Sequence, residues 1–400
     1  MFRRLLGVAV LAAALPPAQA QESPRAAGGN AFNPGISLIL QGTAASSSRD
    51  PASYRIDGFA PTGGEVGPAP RGFSLGESEI GIAANIDPNF SGQLVASFSA
   101  DNKVEVEEAF FQTLALGGGF TVKGGRFLSG IGYLNGIHQH AWDFQDAPLA
   151  YKAFLGGRLN DDGLQLRWLA PTDLFLEFGA ELGSGRVFPA TPNSRNGANA
   201  ATLFAHLGGD LGVSTAWRTG VSLLRARPEG RAFDDVDGLG NPVTQSFTGA
   251  STLLIADFVL KWSPNGNATS TNFKLQGEFF RRKESGALSY DDGTALTGDY
   301  ASRQSGWYLQ GVYQFMPRWR AGLRYDRLDR GTVDAAVPLA GPLASDYNPS
   351  RVTVMLDWSG SEFSRIRLQL AQDKSRAGLT DNQVLLQYLF SLGAHGAHTF

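Results

Sequence analysis

Residues 351–358 read Arg-Val-Thr-Val-Met-Leu-Asp-Trp, and this stretch decides the fold class. Its even-numbered positions are all apolar, whereas arginine, threonine and aspartate occupy three of the odd-numbered positions. A period of two residues is that of a β-strand whose two faces meet different surroundings. The same alternation recurs in residues 305–315 and 383–392, and it continues through most of the chain from residue 35 onward. The sequence is therefore dominated by amphipathic strands.

The order of these segments favours a single closed barrel. Strand-like segments begin near residues 35, 76, 91, 104, 119, 163, 173, 201, 213, 250, 272, 305, 319, 351, 362 and 383. Short connections such as 87–89 and 316–318 alternate mostly with long polar ones, which are 46–72, 129–160, 185–200, 228–245, 285–303 and 330–349. Short periplasmic turns and long external loops are typical of transmembrane barrels. We predict an all-β chain in which residues 35–400 form one transmembrane antiparallel β-barrel of about 16 strands.

The first twenty residues have the pattern of a secretory signal peptide. Arg3 and Arg4 precede an apolar run from Leu5 to Leu15, and Ala18-Gln19-Ala20 fits the small-x-small cleavage site. We therefore assign residues 1–20 to a signal peptide and residues 21–34 to a periplasmic N-terminal segment. The exported chain has no cysteine, so its fold is expected to be held by non-covalent contacts alone.

Composition excludes several classes of protein. The 34 basic and 37 acidic residues give a formal charge of −3, which argues against nucleic acid as a partner. After residue 20 no apolar run approaches the roughly 20 residues that a membrane-spanning helix needs. The sequence contains neither a Gly-x-Ser-x-Gly elbow nor a His-Glu-x-x-His pair, and we do not expect an enzyme.

Alternation alone does not separate a soluble sandwich from a membrane barrel. The polar faces carry many large ionic groups, which suit a water-filled interior better than a packed core. Aromatic residues stand at the ends of apolar stripes, where the interfacial girdles of a barrel lie. They include Trp168, Trp262, Trp307, Phe315, Trp319 and Trp358. Both features favour the barrel over the sandwich.

Two segments resemble parts of known barrels. The last strand-like segment, residues 383–392, is followed by a terminal Phe400, and it resembles the insertion signal of Gram-negative outer-membrane barrels. The connection 129–160 resembles the loop that folds into general porins and narrows them. This resemblance to the porin-like family implies a location in the outer membrane after export and contact with outer-membrane lipid. It also implies a homotrimer, since porins of this size are similar in being trimeric.

If the apolar faces of the strands contact lipid, the charged residues on the opposite faces line the lumen. Acidic and basic residues then lie on different parts of the lumen wall. Glu77 and Glu79, together with Glu105 and Glu107, line one early wall, whereas arginines line a late wall, and the loop 129–160 adds two aspartates. The candidate pore-lining residues are Glu77, Glu79, Asp143, Asp146, Arg320, Arg324, Arg351, Arg365 and Arg367. If the loop aspartates face the arginines across a constriction, the transverse field would select among ions. The alternative is that these charges pair with one another and merely solvate the lumen.

This arrangement predicts an outer-membrane porin for passive diffusion of small hydrophilic solutes or ions. The arginine wall leaves a phosphate- or anion-selective porin open, because arginine and lysine ladders attract anions. A structural or adhesive barrel plugged by its own loops is a further alternative. An energised receptor with an N-terminal plug does not fit, since residues 21–34 are too few to form one.

The histidines raise one more alternative. His138 and His140 lie two residues apart near Asp143 and Asp146, which suggests a partial set of zinc ligands, although zinc normally takes three or four. This stretch and the closing pair His395 and His398 also resemble proteobacterial outer-membrane proteins labelled zinc-regulated or receptor-like. The resemblance implies a metal- or ligand-binding receptor, with zinc as the one cofactor to consider. Loop packing explains the same histidines without a metal.

Overall fold

A computed structural model of the chain describes residues 34–63, 66–192 and 196–393. The predicted signal peptide, nearly all of the N-terminal segment, and the residues His395, His398 and Phe400 lie outside these ranges. Within the described residues, no helix has the length and apolar composition to cross a membrane. The strands are β1 (Gly35–Ser47), β2 (Gly72–Leu75), β3 (Ser78–Asn85), β4 (Phe90–Phe98), β5 (Val104–Thr113), β6 (Phe120–Leu128), β7 (Asn160–Leu169), β8 (Phe175–Gly183), β9 (Ala200–Leu211), β10 (Thr215–Ala226), β11 (Arg231–Val236), β12 (Pro242–Trp262), β13 (Asn272–Asp291), β14 (Ala295–Met316), β15 (Trp319–Ala335), β16 (Ser350–Ser361), β17 (Ser364–Lys374) and β18 (Asp381–Gly393). The single α-helix among the described residues is α1 (Leu149–Leu155), and short 3-10 helices span Pro51–Ser53, Gln139–Ala141, Pro264–Gly266 and Gly341–Ala344.

Antiparallel pairing of successive strands closes these segments into one barrel. The first strand, β1, pairs with the last, β18, from Ser37 opposite Gly393 to Ser47 opposite Gln383. Both β2 and β3 pair with β1, and both β10 and β11 pair with β12. Each of these two pairs of short strands therefore occupies one strand position of the barrel wall, and such a position is called a stave below. In the described residues the wall therefore has 16 staves, which confirms the predicted fold class.

The alternating faces point as expected for a membrane barrel. On β16 the outward Trp358 is 39% exposed, whereas its inward neighbour Asp357 is 0% exposed. On β14 the outward aromatics Trp307 and Phe315 lie eight residues apart, which is about 27 Å along a strand and about 20 Å of height at the usual tilt of about 40°. That span is close to the apolar band of about 25 Å that such barrels present to lipid.

Several predicted loops are instead strands. Residues 285–303 continue β13 and β14 and leave only the three residues between Asp291 and Ala295 as a turn. Residues 228–245 contain β11 and the start of β12, and β15 extends to Ala335. These extensions lie beyond the height of Trp307 on the barrel and outside the apolar band. No contact with lipid requires an apolar outer face there. Their outer faces carry mostly polar or small residues for that reason, so these segments resemble loops in the sequence, although their inner faces hold buried apolar residues such as Val243, Leu288 and Tyr300.

The barrel interior is packed by its own connections. The connection between β6 and β7, residues 129–159, is called L3 below, and all residues of α1 within it are buried. Its apolar side chains, among them Tyr151 and Phe154, form a core with the inward-facing Ile255, Phe280 and Leu328 of the wall. A second apolar cluster, which includes Ala60, Phe247, Tyr300, Val337 and Leu343, joins the connections 48–71 and 336–349 to the wall. The lumen is thus filled on the loop side.

Candidate constriction of the barrel lumen

L3 enters the lumen along β13. The backbone N–H groups of Tyr133 and Leu134 donate to Glu278 at 3.2 and 3.0 Å, and the hydroxyl of Tyr151 donates to the same carboxylate. Gly132 has a φ of +62°, and a Cβ there would lie 2.3 Å from Glu278 Oε2. Glycine suits this approach, since another residue would be strained in the left-handed conformation and its Cβ would displace the Glu278 carboxylate.

L3 next contacts an acidic wall, formed by Glu77, Glu79, Glu107 and Glu108. His138 lies between two of these carboxylates, with Nδ1 3.2 Å from Glu107 and Nε2 3.0 Å from Glu108. His140 Nδ1 lies 3.0 Å from Glu79. At the end of L3, Arg158 returns to this wall and donates to Glu77 and Glu107. The predicted residues Glu77, Glu79, His138 and His140 therefore lie in one cluster.

The middle of L3 contacts a basic wall formed by β13 and β15–β17. Asp143 lies 3.0 Å from Lys274 and 3.1 Å from Arg320. Asp146 lies 3.0 Å from Arg324 and also pairs with Arg351. The structure thus places both aspartates in direct contact with the arginines, whereas the sequence suggested that they face them across an open gap. L3 is bound to both walls by charges opposite to those of each wall.

Barrel closure explains how one loop reaches both walls. The acidic residues belong to early strands and the arginines to late ones, but only β18 and β1 separate β17 from the stave formed by β2 and β3. Charges that lie almost 300 residues apart in the chain are therefore neighbours across the seam. L3 crosses the lumen between them.

Ion pairing holds the pKa values of the two L3 aspartates low. Burial alone would raise the pKa of Asp143, but the positive charges of Lys274 and Arg320 outweigh it and lower that pKa below its usual range. Burial likewise opposes ionisation of Asp146, and the charges of Arg351, Lys152 and Arg324 lower the pKa of this carboxyl well below its usual range. Both carboxylates remain charged under mildly acidic conditions.

The sequence assigned the acidic wall incompletely. We expected Glu105 and Glu107 to share a face, yet the Glu105 side chain is 65% exposed and Glu108 is buried beside Glu107. The pairing of β4 with β5 shifts between Val95 and Ala96, which leaves Glu107 as an extra residue on β5. Such a bulge turns two consecutive side chains to one face. The adjacent glutamates and the broken alternation of residues 104–111 were the available signal.

A basic ring lines the lumen near the short turns. Each member is inward-facing, half-buried, and within four residues of the turn-side end of its strand. The ring consists of Lys123, Arg167, Arg218, Lys261, Lys274, Arg320 and Arg365. Asp143, Glu177 and Asp357 form ion pairs with Arg167, Lys274 and Arg320 of the ring. Arg320 and Arg365 were predicted from the sequence, but the other five were missed because one basic residue per strand forms no local motif.

Above this ring the lumen is closed to water at several arginines. Arg324 and Arg367 are each 1% exposed, and Arg282 is 0% exposed. Arg367 binds both carboxylate oxygens of Asp357, and it also donates to the carbonyl oxygen of Trp142 in L3. Arg365 donates to the carbonyl oxygen of His140 at 2.6 Å, and it has no carboxylate within 4.0 Å among the described residues. L3 therefore covers these arginines, and its carbonyl oxygens accept hydrogen bonds from Arg282, Arg324 and Arg367.

One further charged row lies beside L3 and was not predicted. His206 and Asp257 both stand opposite Gly220, on β9 and β12. Glu177 binds His206 Nδ1 at 3.0 Å, while both carboxylate oxygens of Asp257 have no hydrogen-bond partner among the described residues. The row adds negative charge to the interior but contains only one histidine.

Comparison with known proteins places this architecture in a family. No family model matches the chain. Over 351 residues it is 31% identical to an uncharacterized protein of Aquifex aeolicus (strain VF5), and the match spans 82% of this chain and 70% of that protein.

Solved structures with similar folds are outer-membrane proteins. The trimer form of OmpT from Vibrio cholerae has a TM-score of 0.54 at 9% identity and covers 90% of this chain and 99% of its own. The channel DcaP of Acinetobacter baumannii gives 0.53 at 10%, with 90% and 97% covered. An anion-selective porin from Comamonas acidovorans gives 0.51 at 11%, with 90% and 99% covered. The chain therefore belongs to the family of the Aquifex aeolicus protein and has the barrel fold of the outer-membrane porins.

Proposed function

We propose that this chain is an outer-membrane porin that passes small anions and hydrophilic solutes by passive diffusion. The basic ring carries the proposal, because its seven inward-facing lysines and arginines gather positive charge at the turn-side mouth, where Asp143, Glu177 and Asp357 pair with Arg167, Lys274 and Arg320. Positive charge in a narrow passage attracts anions and repels cations, and water screens it less there than in bulk.

L3 gives this channel a constriction. Its ion pairs with the acidic and basic walls hold it across the lumen, and its buried apolar face packs on β13–β15. We expect a small conductance, because L3 and the wall bury Arg324 and Arg367 and so narrow the water-filled part of the lumen. No catalytic or energy-coupled step is part of this proposal. The resemblance to zinc-regulated proteins stays a prediction.

A homotrimer is part of the proposal as well. The trimer form of OmpT shares the fold, and an outer wall that is apolar all round is compatible with both lipid and a neighbouring barrel. Analytical ultracentrifugation with detergent contrast matching would give the mass of the protein component, and a mass of one chain would contradict the trimer.

Conductance and selectivity test the channel directly. Purified protein in planar lipid bilayers should give discrete current steps, and a KCl gradient should give a reversal potential of the sign expected for chloride. Liposome swelling with sugars of increasing size would then give the exclusion limit. Steps with cation preference would contradict the role of the ring, whereas the absence of both current steps and swelling would support a barrel plugged by its loops.

A further inference from the structure

We propose that Glu79, Glu107 and His138 form a binding site for a divalent transition-metal ion such as Zn²⁺. One donor atom of each residue lies within 4.8 Å of the others. The three residues come from β3, β5 and L3, so the ion would join the loop to two strands of the wall. This inference does not depend on transport, because metal binding is measured on the purified barrel.

The donor spacing suits tetrahedral coordination. Zinc bound at 2.0–2.1 Å to nitrogen and oxygen donors separates neighbouring ligand atoms by about 3.3 Å. His138 Nδ1 lies 3.2 Å from Glu107 Oε2 and 3.6 Å from Glu79 Oε2. Both separations are close to the required one, and the three donors leave a fourth position for water or a solute.

The surrounding groups are those that orient metal ligands. A histidine that binds a metal commonly donates its other ring N–H to a carboxylate. Here Glu108 lies 3.0 Å from His138 Nε2, which directs Nδ1 toward Glu79 and Glu107. His140 Nδ1 lies 3.0 Å from both carboxylate oxygens of Glu79, and Arg158 donates to Glu107 Oε2 at 2.9 Å and to Oε1 at 3.1 Å. Each of the three proposed ligands therefore has a second partner that fixes its direction.

The charge of the cluster also favours a cation. The four carboxyl groups of Glu77, Glu79, Glu107 and Glu108 meet here, and Arg158 pairs with Glu77 and Glu107. A divalent ion bound to Glu79, Glu107 and neutral His138 would neutralise the two ligand carboxylates. Imidazole with carboxylates is a ligand set that suits Zn²⁺ better than Ca²⁺ or Mg²⁺, which prefer oxygen donors alone.

Isothermal titration calorimetry with Zn²⁺ on the folded, detergent-solubilised barrel tests the site. We expect one ion per chain, and we expect His138→Gln and Glu79→Gln each to weaken binding by about tenfold or more. Glu108→Gln should weaken it by about 10–100-fold through the orientation of His138. Substitution of Co²⁺ should give the intense visible absorption of a tetrahedral site.

Matched controls separate this site from other imidazoles and carboxylates. Glu105→Gln changes an exposed carboxylate of the same strand, and His206→Gln changes another buried histidine that is bound to a glutamate. Both should bind Zn²⁺ like the wild type. All variants are compared in a His395→Ala/His398→Ala background, because that pair could bind zinc independently.

Two results would overturn the proposal. The first is a wild-type background protein that binds no Zn²⁺, and the second is equal binding by the Glu79→Gln and Glu105→Gln variants. If His138→Gln fails to fold, the comparison of Glu108→Gln with Glu105→Gln decides the question. A channel without zinc binding would refute this site alone, whereas zinc binding without conductance would refute only the proposed transport.

Discussion

At the residue scale, the charges of the basic ring differ in how far they are compensated. Arg320 contacts both Asp143 and Asp357, whereas Arg365 contacts only a backbone carbonyl oxygen among the described residues. A paired arginine presents a smaller net field to a passing ion than a half-buried arginine that has no carboxylate within hydrogen-bonding distance. Arg365 is therefore the residue at which ion selectivity should be most sensitive.

Replacing Arg365 by glutamine should reduce anion preference. Glutamine removes the charge and retains a donor for the carbonyl oxygen of His140, so L3 should keep its position. We expect the anion-to-cation permeability ratio to fall by about twofold, as is reasonable for one charge of a ring. Reversal potentials in a KCl gradient measure this ratio. The control is Arg303→Gln, which removes an exposed, outward-facing charge, and an equal shift in both variants would contradict the assignment.

Replacing Arg367 by alanine should instead destabilise the barrel. The substitution leaves the buried Asp357 with Arg320 as its remaining cation, and breaking a buried ion pair costs about 3 kcal/mol. Urea unfolding in a lipid or detergent environment, followed by tryptophan fluorescence, gives the free energy of unfolding. A loss no larger than that of Arg303→Ala would show that the Arg367 pair contributes little.

At the element scale, the charges along L3 are complementary to the two walls that it contacts in turn. Its histidines and Arg158 contact the acidic wall, and its aspartates contact the basic wall. Between these contacts α1 packs its apolar side chains on the inner face of β13–β15. Polar contacts therefore set the position of the loop, and apolar burial supplies much of its stability.

The L3 aspartates should make stability depend on pH below about 4. Their pKa values are lower in the folded barrel than in the unfolded chain, so their contribution is complete above the unfolded value near 4. It declines as the pH falls toward the folded values, by up to about 2.7 kcal/mol per pH unit for two carboxyls. The free energy of unfolding between pH 6 and 3 measures it. Asp143→Asn/Asp146→Asn should have a shallower dependence, and an unchanged slope would contradict these shifts.

The sequence predicted strands well where lipid requires an apolar outer face. On β16 the alternation of residues 351–358 indicated both the strand and its orientation. Above the Trp307 level that requirement ends, and residues 285–303 were mistaken for a loop. Because of the bulge at Glu107, the alternation predicted Glu105 on the inner face, where Glu108 lies instead. A strand pattern does not show where an extra residue is accommodated.

At the scale of the whole molecule, the closure of the barrel could be predicted from the sequence, whereas the filling of its lumen by L3 could not. The number of staves followed from the count of amphipathic segments, and the polarity of their inner faces indicated a wet lumen. Inward-facing apolar residues such as Phe280 and Leu328 contradict a lumen that is polar throughout. In the folded barrel α1 packs against these residues. That contact joins segments that lie far apart in the sequence, so the sequence pattern did not show it. The pairing of Asp143 with Arg320 required the same three-dimensional information.

The conductance of a barrel with weakened L3 contacts tests the central claim that this loop controls an anion-conducting lumen. Asp143→Asn/Asp146→Asn removes the ion pairs to the basic wall and keeps the side-chain shapes, while Asp346→Asn changes an aspartate whose side chain is 89% exposed. In planar bilayers we predict small current steps for the wild type and for Asp346→Asn, and steps larger by about twofold or more for the double variant. Equal steps in all three, or no current in any of them, would contradict the account.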